Sequence, residues 1–379
     1  MFELTEEQNQ IRQSIYKFAK KELAPRAAHW DAAAEFPWES VRQMAEVGLT
    51  GLRLPAVYGG TETDPTTFGI ALEEVARFDQ SCAIILCGCN ITGRVLLQAS
   101  AGIKDAFLPA LVQGRCIIAF GATESESGSD IRAIRTTARL EGDHYVVRGE
   151  KSMITFAGVA RGFVVLAKTD GPGEGGISCL FVEADRPGVE TRHLAGFGWR
   201  ACQWGSVAFN EVKVPLDNLI GEKNQALPRL KTTVLEQRAL TGLIALGTAR
   251  QALEEAIEYA KIRNVFGKPL GKFEAIQFRL AEDFTALEAA RLICYQALSL
   301  IEKSDAEAPV WAAMANLLGG ETAYRVVNNA MDVFGGMGYS PELPLERYLR
   351  DVKAIQIANA TLKMEIGQGL LGKEFHPCL

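Results

Sequence analysis

The stretch AFGATESESGSD, residues 119–130, is where the character of this chain turns. It follows a strand-like C-I-I and combines small residues, hydroxyls and two glycines. A loop of this composition can bring backbone N–H groups and hydroxyls close to a flat polar ligand or a phosphate. Ser and Gly are also ordinary turn formers, so a Ser-rich surface loop accounts for the same letters. The choice between the two rests on what surrounds the loop.

Downstream, HYVVR, GFVVLAK and ISCLFVE are short runs rich in branched and aromatic residues, bounded by Gly, Asp and Pro clusters. That is the signature of β-strands joined by turns. Upstream the texture is helical. Thr5-Glu-Glu-Gln8 has the form of a capping box, Ile11, Ile15 and Phe18 follow at helical spacing, and Pro25, Pro37 and Pro55 punctuate the region. From about residue 226 helices return, with Leu246, Ala249, Leu253, Ile257 and Ala260 forming one apolar stripe. Helices, then strands, then helices predict an α+β chain with separate domains: an all-α part over 1–115, a β-domain over 116–222 and a helical part over 223–379. One motif misleads. GPGEGG at 171–176 fits G-x-G-x-x-G, but a dinucleotide fingerprint must leave a strand and open a helix. Both flanks here read as strands, so a hairpin loop is expected.

The composition narrows the functional classes. A net charge of −6 and the lack of a basic run offer no footprint for nucleic acid. The acidic start MFELTEEQNQ lacks the form of a signal peptide. The longest apolar stretches, such as 239–249, fall short of the ~20 residues of a membrane span. Cys87 and Cys89 are too close for the usual zinc spacing, no metal site is expected, and the eight cysteines read as reduced, mostly buried thiols of a cytoplasmic protein.

Three further segments stand out. GEKSMITFA (149–157) joins a charged turn to an apolar strand holding one Thr. RNVFGKP (263–269) sets an Arg and an aromatic where a helix is expected to end at Gly267. VFGGMGY (333–339) is followed by PLERYLRD (344–351), and its glycines allow close backbone approach.

In order, spacing and chain length these segments resemble the acyl-CoA dehydrogenase family. The likeness extends to PAVYGG at 55–60 and to residues 207–221, which read like the family's closing β-segment. The resemblance implies an N-terminal helical domain, a central β-barrel-like domain and a C-terminal four-helix bundle, with bound FAD and a homotetramer. It implies that Phe120, Ala122 and Thr123 lie along the isoalloxazine, with Gly128 and Ser129 near the pyrophosphate. Thr155 matches a Thr that the family sets against the flavin, and Met153 replaces an aromatic there. Arg263 and Phe266 match a pair that reaches FAD across a subunit interface. Asp332 stands where the family often has Gln, beside Gly335 and Gly336, and Thr361 matches a further cofactor-side position.

The family's catalytic Glu sits in I-Y-E-G-T and removes the α-proton of an acyl thioester while the β-hydride goes to flavin N5. The matching stretch is IANAT, residues 357–361, with Asn359 at the Glu. Other members carry the base one residue before an Arg on a helix, and Gln237-Arg238 matches that pair. Both positions therefore hold amides, which do not accept a proton near neutral pH. General-base catalysis is typically worth about 10²–10⁴-fold. Three accounts follow. Glu236 is turned inward as the base, although its ordinary reading is a solvated surface charge. Or the substrate needs no strong base, as in γ,δ-oxidation, β-elimination or oxygenation. Or the chain is a non-catalytic flavin- or thioester-binding subunit. The resemblance implies an acyl thioester substrate on CoA or a carrier protein, and an electron acceptor such as an electron-transfer flavoprotein or oxygen.

Overall fold

The computed structural model of the protein describes residues 4–169, 176–357 and 361–372. The chain begins with α1 (Glu6–Phe18), continued by a π-helical turn (Ala19–Leu23) into α2 (Ala24–Ala33). The α1 start follows from its sequence: the Thr5 hydroxyl accepts the Gln8 N–H and the Gln8 side chain accepts the Thr5 N–H, both at 3.1 Å. Next come α3 (Trp38–Glu46), α4 (Pro65–Ala76), α5 (Gln80–Leu96) and α6 (Ala101–Val112). Asp64 and Asp79 cap α4 and α5 through their carboxylates. These two helices are almost wholly buried and carry the first core.

The middle of the chain is one mixed sheet built from β1 (Ile118–Gly121), β2 (Thr137–Glu141), β3 (His144–Ile154), β4 (Gly162–Lys168), β5 (Ile177–Glu183), β6 (Val189–His193), β7 (Gly205–Pro215) and β8 (Leu219–Ile220). Its order is β6-β7-β3-β2-β4-β5-β8, with β1 added parallel to β4. β4 and β5 pair antiparallel up to Lys168 opposite Ile177, as expected on either side of the G-x-G-x-x-G decoy. Residues 170–175 of that loop lie outside the described residues. The β3–β7 register slips between Lys151 and Ile154. Bulges of this kind bend a strand and re-aim its side chains.

The last part is a bundle of α7 (Ala226–Ile262), α8 (Glu274–Glu302), α9 (Ala308–Phe334) and α11 (Leu345–Ile357), with the short α10 (Gly336–Tyr339) and the terminal α12 (Leu362–Leu371). α7 and α9 cross closely because both are glycine at the contact: a Cβ on Gly319 would lie 2.6 Å from Gly242 Cα. Of the predicted α7 stripe, Leu246, Ala249, Leu253 and Ala260 are buried and Ile257 is partly so.

Two local expectations change. α7 ends at Ile262, not at Gly267. Residues 264–265 and 268–269 pair as a small hairpin, with Phe266 (φ 49°) and Gly267 (φ 78°) at its tip. Two successive residues with positive φ are what a tight hairpin turn needs. α8, at 29 residues, is long and apolar enough to cross a membrane by length and composition. It packs in the bundle, however: Leu287, Ala290, Cys294 and Leu298 are buried, and Arg291 pairs with the buried Glu73 of α4. The seven described cysteines are buried free thiols, and no cluster of metal-ligating side chains occurs among the described residues.

Candidate active site

A cavity of ≈ 500 Å³ opens between the sheet and the two helical parts. One wall is α5, which contributes Ile84, Cys87, Gly88, Ile91, Thr92 and Val95, a stripe at helical spacing. The facing wall is α7, with Leu230, Thr233, Val234, Gln237, Arg238 and Thr241. The sheet closes the third side with Phe120 of β1, with Ala122 and Thr123 just after it, and with Met153, Ile154, Thr155 and Phe156 where β3 ends. Trp199 adds its buried side chain.

The β3 end is strained at this wall. Met153 (φ 54°) and Phe156 (φ 73°) both sit in the left-handed region although neither is glycine. Such backbone persists only where the surroundings over-determine it, and it clusters at functional sites. Here the Phe156 N–H donates to the Cys202 carbonyl and the Ser152 N–H to the Thr123 carbonyl, each at 2.9 Å. Gly88 makes room, since a Cβ there would come 2.6 Å from the Phe156 ring. Trp199 is itself left-handed (φ 50°) and held twice. Its N–H donates to Asp351 Oδ1 at 2.7 Å and its indole to Gln80 Oε1 at 2.8 Å.

Five of the sequence-predicted residues, Phe120, Ala122, Thr123, Met153 and Thr155, share this wall, and Gln237 faces them from α7. Gly128 and Ser129 lie exposed on the adjoining loop. Arg263 and Phe266 sit on the exposed hairpin after α7, and Phe266 is 97% exposed. Asp332, Gly335 and Gly336 are exposed at the end of α9, where Asp332 pairs with Arg279 at 3.1 Å. Thr361 precedes α12 and donates to Glu365 Oε1 at 3.4 Å. Asn359 lies outside the described residues.

Glu236 departs from the expectation of a solvated charge. It is 1% exposed and absent from the cavity wall. Its carboxylate pairs with Arg53 Nε at 3.0 Å and with Arg94 on α5. The reason is helical geometry: neighbours on a helix point about 100° apart, so with Gln237 and Thr241 toward the cavity Glu236 turns toward the first helical part. Both its oxygens are engaged by guanidinium groups, away from the space a substrate would fill.

No Asp or Glu occurs among the described lining residues. The Cys87 thiol is pushed up to about 12 by burial, with the Glu236 charge adding to it, so it stays neutral and protonated near pH 7. Arg238 is a fork-to-fork partner of Glu365 on α12, at 2.5 and 2.8 Å. The arginines around Glu236 and the partner of Arg238 were not foreseen. Their contacts join residues 183, 142 and 127 positions apart, a separation that leaves no local pattern.

A larger cleft of ≈ 990 Å³ runs beside α2, α7 and α11. Among the described residues, none of the predicted ones lines it, and its Arg350 is already paired with Asp31 and Glu346.

A flat, largely apolar ring with a polar edge suits the sheet-side wall. Phe120, Ala122, Met153 and Ile154 offer apolar surface, and Thr123 and Thr155 offer hydroxyls. Such a wall has the shape and chemistry to hold the ring system of a flavin. The comparisons agree. The chain matches "Acyl-CoA dehydrogenase, N-terminal domain" over residues 5–115, the middle domain over 119–212 and the C-terminal domain over 227–368. It is 35% identical over 379 residues to cyclohex-1-ene-1-carbonyl-CoA dehydrogenase of Syntrophus aciditrophicus, covering 98% of this chain and 91% of that protein. It is also 35% identical, over 368 residues, to 3-(aryl)acrylate reductase of Clostridium sporogenes, covering 95% and 97%. The solved butyryl-CoA dehydrogenase of Megasphaera elsdenii superposes with a TM-score of 0.92 at 33% identity, covering 98% of this chain and 100% of that one. The chain belongs to the acyl-CoA dehydrogenase family, whose cofactor is FAD; FAD- and FADH2-bound structures of the same fold are known.

Proposed function

We propose that this chain oxidises a CH–CH bond of an acyl thioester, or in reverse reduces the corresponding C=C bond, and moves the substrate proton by a route that uses no carboxylate on the cavity wall. The observation that carries this is the composition of that wall. It holds two amides (Gln237 and Asn316), hydroxyls (Thr92, Thr123, Thr155, Thr233 and Thr241), a guanidinium (Arg238) and a neutral thiol (Cys87), and no Asp or Glu among its described residues. The family's other base position is Asn359, again an amide. When bound, FAD supplies a hydride acceptor at N5. In this reading Phe120, Ala122, Thr123, Met153 and Thr155 hold the ring system, and Gly128 and Ser129 face the pyrophosphate. Asp332, Gly335, Gly336 and Thr361 complete the cofactor contacts, and Arg263 and Phe266 serve the FAD of another copy in a homotetramer. The exposure of the Arg263–Phe266 hairpin on the single chain supports that last assignment. The division at 115/116 and 222/223 is part of the same proposal. It agrees with the change from helix to strand at Ile118 and back at Ala226.

The thioester rides on CoA or a carrier protein, and the electron partner is an electron-transfer flavoprotein or oxygen. The two relatives at 35% identity are named for a dehydrogenase and a reductase, so the reading is neutral as to direction. The same wall favours one further reading: chemistry in which Cα–H removal is not the demanding step, such as γ,δ-oxidation or β-elimination. An anaerobic panel of saturated and α,β-unsaturated acyl-CoAs, followed by flavin absorbance and product mass, separates these. A wild type that carries FAD but shows no absorbance change and no product with any thioester would refute the catalytic reading.

A further inference from the structure

Two of the segments assigned to the flavin ring are joined beneath the cavity wall by a buried ion pair. Lys151 has a fully buried side chain, and Glu124 keeps only 8% of its own exposed. The Lys151 ammonium donates to Glu124 Oε1 at 2.8 Å and to the Ala122 carbonyl at 3.1 Å. The Glu124 carboxylate also accepts the Arg135 N–H at 2.6 Å and the Thr136 N–H at 3.0 Å. Next to the pair, the Ser152 N–H donates to the Thr123 carbonyl, and Glu124 and Ser127 bridge the loop that leads to Gly128. The residues at both ends of this network, Ala122–Thr123 and Met153–Thr155, line the cavity.

Burial draws the Lys151 ammonium below its ordinary value, against the pull of Glu124. For Glu124 burial acts upward, but Lys151 and the Arg135 and Thr136 donors outweigh it and hold the carboxyl below its ordinary value. A buried ion pair is seldom the most stable filling of a core, because desolvation offsets much of the attraction. What it does supply is a fixed geometry with donors and acceptors in set directions.

We infer that the Glu124–Lys151 pair is a positioning device that fixes the Ala122–Thr123 and Met153–Thr155 segments relative to one another, and thereby sets the pose and electrostatic surroundings of the flavin ring. This rests on the assignment of those segments to the cofactor. The pair as a whole is neutral. Lys151→Met leaves a carboxylate still held by the Arg135 and Thr136 N–H groups, which disfavours adding electrons to the flavin. Glu124→Gln removes the counter-charge that keeps Lys151 protonated against burial and so loosens the network.

The test is made on FAD-loaded protein, by equilibrium release of FAD and by anaerobic dye-coupled reduction of the bound flavin. Each variant is expected to bind FAD at least about tenfold more weakly, with the flavin midpoint moved down in Lys151→Met, whose remaining carboxylate opposes added negative charge. Folded variants with wild-type FAD affinity and midpoint overturn the inference. If neither single variant folds, Glu124→Asp decides: it keeps both charges and shortens the reach by one methylene. An affinity loss of about tenfold supports the inference, and an unchanged affinity overturns it. A wild type that carries no FAD would instead refute the cofactor assignment, so the two failures are distinct.

Discussion

Replacing Glu236 by Gln separates a structural carboxylate from a catalytic one. The substitution keeps the side-chain shape and removes the charge shared by Arg53 and Arg94. Breaking a buried ion pair from one side typically costs about 3–5 kcal/mol, because the remaining charge stays buried without compensation. Here Arg53 and Arg94 retain 11% and 25% side-chain exposure, so water screens part of that penalty. About 2–3 kcal/mol is the expected loss. In a thermal melt of FAD-loaded protein this lowers the Tm by several degrees. Arg94→Met should cost a similar amount, and the double variant Glu236→Gln/Arg94→Met should be less destabilised than the two singles summed. Turnover below the melt should stay within about tenfold of wild type, whereas loss of a general base costs about 10²–10⁴-fold. A Glu236→Gln protein with a wild-type Tm and a turnover lowered a hundredfold or more would refute this reasoning and make Glu236 the base.

Arg263→Ala should weaken FAD retention by about 1.5–3 kcal/mol, the range of a charge-assisted contact, and the wild type should be a tetramer by light scattering; a monomer with full FAD occupancy would contradict the shared site. Stability should fall as pH rises between about 4 and 7. Glu74 is pushed up to about 7 by burial and the adjacent Glu73 charge, which the Arg77 contact at 3.5 Å does not offset, and its Oε2 has no hydrogen-bond partner among the described residues. Asp351 is likewise pushed up to about 7, chiefly by burial, against the Trp199 N–H. A carboxyl raised in the folded state contributes stability that is complete below its unfolded pKa and lost as pH climbs through the folded one, on the order of 3 kcal/mol for Glu74. Glu74→Gln should flatten that part of a Tm-against-pH curve, and an unchanged slope would contradict the assignment.

The sequence was most readable where chemistry is local. Thr5 and Gln8 are three apart and reveal the start of α1. The strand runs around residues 144–183 are short, branched and separated by turns, so the β region stood out from its helical flanks. Phe120, Thr123, Met153 and Thr155 fall on two contiguous segments, and the fold brings those segments to one cavity. Less was readable where long-range pairing decides. Glu236 looked like a surface residue because nothing within a helical turn shows that Arg53 and Arg94 arrive from elsewhere. The burial of Lys151 is hidden for the same reason: its partner Glu124 is 27 positions away. At Phe266-Gly267 an apolar residue before a glycine suggested a helix end, whereas the chain had already left α7 at Ile262 and needed the pair for a turn.

Proton movement without a carboxylate on the cavity wall can be checked by mixing butyryl-CoA or octanoyl-CoA anaerobically with wild type and with Asn359→Glu, and timing the bleaching of the flavin. Bleaching should be slow in wild type and faster in Asn359→Glu by a factor that approaches about 10²–10⁴, reduced to the extent that the new carboxylate is misplaced. Wild-type turnover of these saturated substrates at an ordinary rate, about 1–10³ s⁻¹, would contradict it.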